Sequence, residues 1–288
     1  MDGFLCFNKP CGPSSFQIIH KLRKALGIKK IGHAGTLDPH ATGLLVIAVG
    51  NATRLLQYIP NEPKVYRFSI QFGTETDTLD SEGKTTRSGG SLPEPQQLIQ
   101  CIDTFKGEIL QAPPQFSAVK TDGVRAYSRA RSGEQFSLPP RPVFIYSLNL
   151  LHYNETEGQA LLEVQCSGGT YVRSLVRDIA SSLHTYGFAS SIHRVSSGTF
   201  TLNHALTTET LENAGKYIMP IAEIFSERLK VQVTERQKMQ LSHGMDIIIS
   251  ENTDSGIVFA FSGDNILAVL QKKEGTTYHP VTVFHTEG

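Results

Sequence analysis

The chain has little that would staple it, anchor it in a bilayer or hold a metal. Its four cysteines, Cys6, Cys11, Cys101 and Cys166, form no C-x-x-C pair, and no two histidines stand at metal-ligand spacing. Neither a disulfide framework nor a zinc site is expected, and the cysteine usage suits a reducing, cytoplasmic setting. The longest apolar run, Leu44 to Val49, is far too short to span a membrane, and the amino terminus lacks the basic-then-apolar order of a signal peptide. A monomer without membrane contact is expected. No internal repeat occurs, and 288 residues suffice for a core that needs no staple.

Net charge is absent too, since 27 Lys and Arg balance 27 Asp and Glu. The balance hides an uneven distribution. Between Asp2 and Asp38 there is no acid, while Lys9, Lys21, Arg23, Lys24, Lys29 and Lys30 fall in that window. A second basic stretch holds Lys120, Arg125, Arg129, Arg131 and Arg141 against Asp122 and Glu134. Such patches are either solvated faces or a localised footprint for a polyanion.

Leu5 to Phe7 reads as a short strand that runs into the turn "NKPCGPSS", after which Ser15 can cap a helix to about Leu26, with Phe16, Ile19, Leu22 and Leu26 as its buried stripe and Gly27 as its stop. "LLVIAVG" is a buried strand. "VYRFSIQF", Val65 to Phe72, alternates strictly, with Tyr66, Phe68, Ile70 and Phe72 on one face. The segment "GTETDTLDSEGKTTRSGGSLPEPQ" reads as an acidic loop whose Asp77, Asp80 and Glu82 lack calcium-loop spacing. "PVFIYSLNLLHY" and "ALLEVQCS" are further strands, and Val172, Leu175, Val176, Ile179 and Leu183 fall on one helical stripe. Strands and helices without regular alternation indicate an α+β domain. From about Leu229 the pattern changes to a helix begun by a capping box at Thr234 and Gln237, followed by short strands, which reads as a small β-rich module. Its Glu251, Asp254, Asp264, Glu274 and Glu287 keep it from being strongly basic.

Common catalytic templates are missing: there is no P-loop ending, no G-x-G-x-x-G after a strand, no G-x-S-x-G and no H-E-x-x-H. What remains is "KKIGHAGTLDPHATG", Lys29 to Gly43, which frames one carboxylate, Asp38, with no second acid in the motif. Pro39 restricts the backbone of Asp38, and Gly35 and Gly43 allow tight turns on either side. Asp-Pro is a natural helix cap or turn, yet the buried strand follows so soon that one helical turn at most would fit. A lone carboxylate acting as nucleophile or base needs a cation to keep it ionised and a companion that stacks or handles protons. Arg173 and Tyr66 are the candidates. Arg173 stands in the first turn of its helix and four residues before Arg177, where both the macrodipole and the like charge call for an anion. The plainer roles are a surface ion pair for Arg173, core packing for Tyr66 and a turn for His33.

"NKPCGPSS", "GHAGTLDPHATGLLVIAVGNATR", "VYRFSIQFGTETDTLDSEG", "PPQFSAVKTDGVRAYSRAR" and "CSGGTYVRSLVRDI", in that order, resemble the TruB-type tRNA pseudouridine synthases over essentially residues 3–215. The resemblance implies a pseudouridine synthase fold, with a central mixed, largely antiparallel sheet flanked by helices and loops, at residues 1–228, and a small mostly-β PUA-like RNA-binding domain at 229–288. It also implies isomerisation of uridine to pseudouridine in the tRNA T loop, conventionally position 55, by base flipping, without cofactor or metal. Asp38 would be the catalytic carboxylate, Arg173 its ion-pair partner and Tyr66 the ring that stacks on the target base and assists removal of the C5 proton. His33 would fill the space the base leaves, and Tyr171, Ile192, Arg194 and Lys9 would contact substrate. Ile192 stands where the family usually has leucine, and His193 replaces the first arginine of its usual Leu-Arg-Arg. The partner would be tRNA, through its T arm and, for the carboxy-terminal module, its acceptor stem. A non-catalytic RNA-binding module, or an N-glycosidase that releases the base, are the alternatives.

Overall fold

The computed structural model describes residues 1–117, 119–121, 124–132, 134, 136–226, 228–249 and 256–284. Of the second basic stretch, Asp122 and the side chains of Lys120, Arg125 and Arg131 lie outside this description, as do Glu251, Asp254 and Glu287.

In chain order the strands are β1 (Gly3–Lys9), β2 (Ile31–Ala34), β3 (Thr42–Val49), β4 (Lys64–Phe72), β5 (Thr74–Thr76), β6 (Thr85–Ser88), β7 (Gly107–Gln111), β8 (Lys120–Thr121), β9 (Val124–Arg125), β10 (Arg141–Asn154), β11 (Gln159–Cys166), β12 (Gly187–Ser197) and β13 (Phe200–Thr201), followed by β14 (Lys230–Gln232), β15 (Ile247–Ile248), β16 (Ile257–Ser262), β17 (Asn265–Glu274) and β18 (Thr277–Val283). The helices are α1 (Ser15–Leu26), α2 (Pro95–Asp103), α3 (Ala126–Arg131), α4 (Val172–Ser182), α5 (Ile221–Ile224) and α6 (Glu235–Ser242). A nine-stranded sheet runs β1-β3-β12-β4-β11-β10-β7, with β2 added on β3 and β13 on β12. Its only parallel pair among the described residues is β3 with β12, so it is mixed and largely antiparallel. The strands of the carboxy-terminal part form a five-stranded sheet of their own, β14-β16-β17-β18-β15.

The continuous apolar run of β3 follows from burial on both faces. Leu45, Ile47 and Val49 enter the core that α1 and α4 cover, whereas Leu44, Val46 and Ala48 enter a second core behind the sheet. That second core is shared with the carboxy-terminal sheet through Phe259, Phe261, Ile266, Val269 and Phe284. Phe225 and Phe259 stack with centroids 4.5 Å apart, and Phe4 meets Phe225 edge-on at 6.2 Å. Replacing Phe259 by Ala is therefore expected to destabilise both parts together by about 3–5 kcal/mol. Urea unfolding should remain one transition; separation into two would contradict the shared core.

The alternation of β4 holds, with Tyr66, Phe68, Ile70 and Phe72 buried and Arg67 exposed. Helix α1 departs from its expected stripe: Ile18, Ile19 and Leu22 are buried, while Phe16 is 66% exposed. Its cap is Ser14, whose hydroxyl accepts from Gln17 N, and this frees Ser15 for another partner. The acidic segment after β4 is not a plain loop, since β5 and β6 pair within it and α2 follows.

Candidate active site

Three residues of one turn, Lys9, Gly12 and Ser15, hold the loop that carries Asp38. The Ser15 hydroxyl donates to Leu37 O and accepts from Leu37 N, both at 2.9 Å. Lys9, wholly buried, donates to Pro10 O, Pro13 O and Pro39 O at 3.0, 2.8 and 2.9 Å. Gly12 N also donates to Pro39 O. The residues on either side of Asp38 are thus fixed to the "NKPCGPSS" turn, and Ala41 N donating to Asp38 O closes a turn rather than a helix. Burial pulls the Lys9 ammonium down to about 8, and its three carbonyl partners identify it as a brace. The expectation that Lys9 meets substrate is corrected accordingly: its three donors are spent and it is absent from the pocket wall.

Asp38 Oδ2 lies 2.8 Å from Arg173 Nη2, with the arginine side chain 4% exposed and the carboxylate 38%. The anion that Arg173 requires is present, but it is not alone. Arg173 Nη1 also lies 3.3 Å from Asp80 Oδ2, and its two terminal nitrogens donate to Thr78 O at 2.8 Å and Phe116 O at 2.9 Å. Asp80 is itself held by the Thr78 hydroxyl at 2.6 Å and Glu82 N at 3.0 Å. The picture of a single acid is therefore incomplete, because a second, buried carboxylate grips the far side of the same guanidinium. Nothing local in "DTLDSEG" signals this, since the partner of Asp80 comes 93 residues later. The arrangement leaves Asp38 as the carboxylate that faces open space, with Asp80 as its buried counterweight.

Asp38 and Arg173 line a cavity of about 230 Å³ together with Tyr66, Tyr171, Ile192 and Arg194. Burial raises the Tyr66 phenol above its ordinary range, against a smaller opposite effect of the Arg194 guanidinium. Tyr171 is raised by burial as well, with Ser117 beside its hydroxyl working the other way. Both rings stay neutral phenols at physiological pH. Ile192 supplies the apolar wall that a leucine there would have given. Arg194 is 1% exposed and anchored by Nε to Leu44 O at 2.6 Å and by Nη2 to Gly35 O at 3.2 Å. The parallel pairing of β12 with β3 brings it there, and Gly43 at φ +97 makes the approach possible: a Cβ at that position would lie 2.3 Å from Arg194 O. His33 is on β2, off the pocket wall, with its imidazole lowered chiefly by burial and next by Arg194. His193 bonds the Thr42 hydroxyl at 2.8 Å through Nδ1.

Among the described residues one group has the composition of a metal site, His40, Asp80 and Glu82, with ligand atoms within 4.8 Å of one another. Its central carboxylate is already engaged by Arg173, Thr78 and Glu82 N.

A family model described as the N-terminal domain of the TruB family pseudouridylate synthases matches residues 23–172, more than half of the chain. The chain belongs to the TruB family. Relatives called tRNA pseudouridine synthase B share 36% identity in Caulobacter vibrioides, over 99% of this chain and 96% of that protein. In Caldanaerobacter subterraneus the figures are 37% identity over 99% of both chains. Among solved structures, a Cbf5-Nop10-Gar1 complex contains a chain with TM-score 0.72 and 24% identity, covering 98% of this chain and 85% of that one. An H/ACA RNP bound to a substrate RNA containing 2′-deoxyuridine gives TM-score 0.72 at 23% identity, over 99% and 85%. These two carry the fold and no more. This TruB-family chain is a tRNA pseudouridine synthase, an isomerase of uridine in tRNA.

Proposed function

We propose that the uridine isomerised is one in the T loop of tRNA, and that Asp38 carries the chemistry on a nucleotide flipped into the cavity. The observation that supports this reading most is the half-exposed Asp38 carboxylate, held by a buried guanidinium at the wall of a cavity with aromatic and aliphatic sides. A uridine stacked in a folded loop is out of reach of any side chain, so it must be extruded at a few kcal/mol, which ring stacking offsets. Tyr66 and Ile192 then provide faces for the base.

The C1′–N1 bond breaks, the uracil turns within the cavity, and C1′ joins C5. The proton lost from C5 is matched by the one N1 gains, so no co-reactant is consumed. The Asp38 carboxylate can add to C6, attack C1′ or remove the C2′ proton; each route needs the oxygen that Arg173 holds in place at the cavity wall. One such acid suffices where hydrolysis of a glycosidic bond usually takes two, because the uracil leaves as a resonance-stabilised anion and is retained. Tyr66, its phenol raised by burial, serves better as a stacking wall than as a base for the C5 proton.

Incubating the protein with a T-arm stem-loop and with an anticodon stem-loop of equal length, then mapping pseudouridine chemically, tests the position. Product is expected in the T loop alone. Conversion confined to the anticodon loop would overturn the proposal, and free uracil in place of pseudouridine would reveal an N-glycosidase.

A further inference from the structure

The pocket wall holds a cation that the Asp38–Arg173–Asp80 arrangement does not use. Lys64 opens β4 and lines the cavity beside Tyr66, two residues on and on the same face. Among the described residues its ammonium has no hydrogen bond and no ion pair. The acid that acts on it, Glu62, has its Oε1 committed to Gly168 N at 2.9 Å. A second cation stands next to it: Lys64 Nζ and Arg194 Nη1 both lie 3.5 Å from where a Cβ on Gly35 would be. Arg194 is tied to two backbone carbonyls and cannot swing away.

Two like charges converging over one glycine repel each other unless an anion lies between them. Burial, and then Arg194, push the Lys64 ammonium toward deprotonation, opposed by Glu62 and Cys166. An anion seated between the two cations would relieve both effects. The position selects which anion. Lys64 is only half-buried, and its Nζ lies 3.5 Å from where a Cβ on the exposed Gly35 would be and 3.6 Å from where one on the half-buried Gly168 would be, which puts it at the cavity's edge, whereas the faces suited to a base, Tyr66 and Ile192, are buried.

We propose that Lys64, at the edge of the pocket with the buried Arg194 behind it, forms an anion subsite, and that it takes a phosphodiester group next to the flipped uridine. The subsite rests on the reading that the base enters the cavity, since only then does the flanking backbone pass this edge.

The test compares wild type, Lys64→Gln and Lys64→Arg on a T-arm RNA, in a salt series. RNAs carrying a neutral methylphosphonate at the phosphate 5′ or 3′ of the target uridine are run alongside. Lys64→Gln is expected to raise KM about tenfold with a smaller fall in kcat, and to reduce the slope of log affinity against log salt by about one. Lys64→Arg should restore most of the loss. One of the two methylphosphonates should weaken wild type by a similar factor and leave Lys64→Gln unaffected.

A fall in kcat with KM and salt slope unchanged would overturn the proposal, because Lys64 would then act on the base. An equal penalty from both neutral linkages in wild type and in Lys64→Gln would overturn it as well, because the phosphate would be held elsewhere. Wild-type conversion of the unmodified RNA in the same series separates either failure from a failure of the base-flipping reading.

Discussion

Replacing Asp38 by Asn is expected to abolish pseudouridine formation, by at least about 10³-fold in kcat, while the protein stays folded and binds RNA. Asn matches Asp in shape, so the pinned turn between Leu37 and Pro39 has no reason to move. Arg173 keeps its bonds to Thr78 O and Phe116 O and its contact with Asp80, so the buried guanidinium is not stranded. What disappears is the charge that faces the cavity, and with it all three routes to the C1′–N1 bond. RNA affinity should be unchanged or slightly higher, because a carboxylate beside a polyanion is removed. Single-turnover kinetics and filter binding on one tRNA separate the two quantities. Residual turnover within tenfold of wild type would remove Asp38 from the chemistry, and loss of binding in parallel with activity would make its role structural.

The parts of this site that the sequence reveals are those whose partners are near in the chain or whose pattern is periodic. The alternation of β4 alone puts Tyr66 on the buried face, and the double burial of β3 is written in its unbroken apolar run. The helix of Arg173 and its need for an anion are legible from charge alone, although the identity of that anion is not. Asp80 escapes notice because it lies in a polar, glycine-containing turn that looks solvated, and its burial is created by contacts from α4 and the Asp38 loop. Lys9 misleads for the converse reason. A lysine in a basic window suggests an RNA contact, yet two carbonyls of its own proline-rich turn and Pro39 O of the Asp38 loop use its donors completely. Ser15 shows the same limit at the scale of one residue, since which of two adjacent serines caps α1 depends on the tertiary bond the other makes to Leu37.

Arg173→Lys is the second substitution expected to have a large effect, and the reason is geometric rather than electrostatic. The guanidinium meets Asp38 and Asp80 on two sides and still donates to two backbone carbonyls. An ammonium offers three donors from one point and cannot reach all four acceptors. One or more buried acceptors is left unpaired, so a loss of about 3 kcal/mol in stability and at least about 100-fold in kcat is expected, although net charge is unchanged. Asp80→Asn probes the same joint from its buried side. With the amide oxygen toward Thr78 and Glu82 N, the NH2 group would confront Arg173 Nη1, donor against donor; flipped, it would confront Thr78 and Glu82 instead. Turnover should fall about 10- to 100-fold although Asp80 touches no reacting atom, because Arg173 is no longer held toward Asp38. The double variant should lose less than the sum of the two single losses, since each disables the same link. Strict additivity in kcat would mean that Asp80 and Arg173 act independently, and wild-type turnover in Arg173→Lys would mean that charge alone, without the planar fork, keeps Asp38 in place.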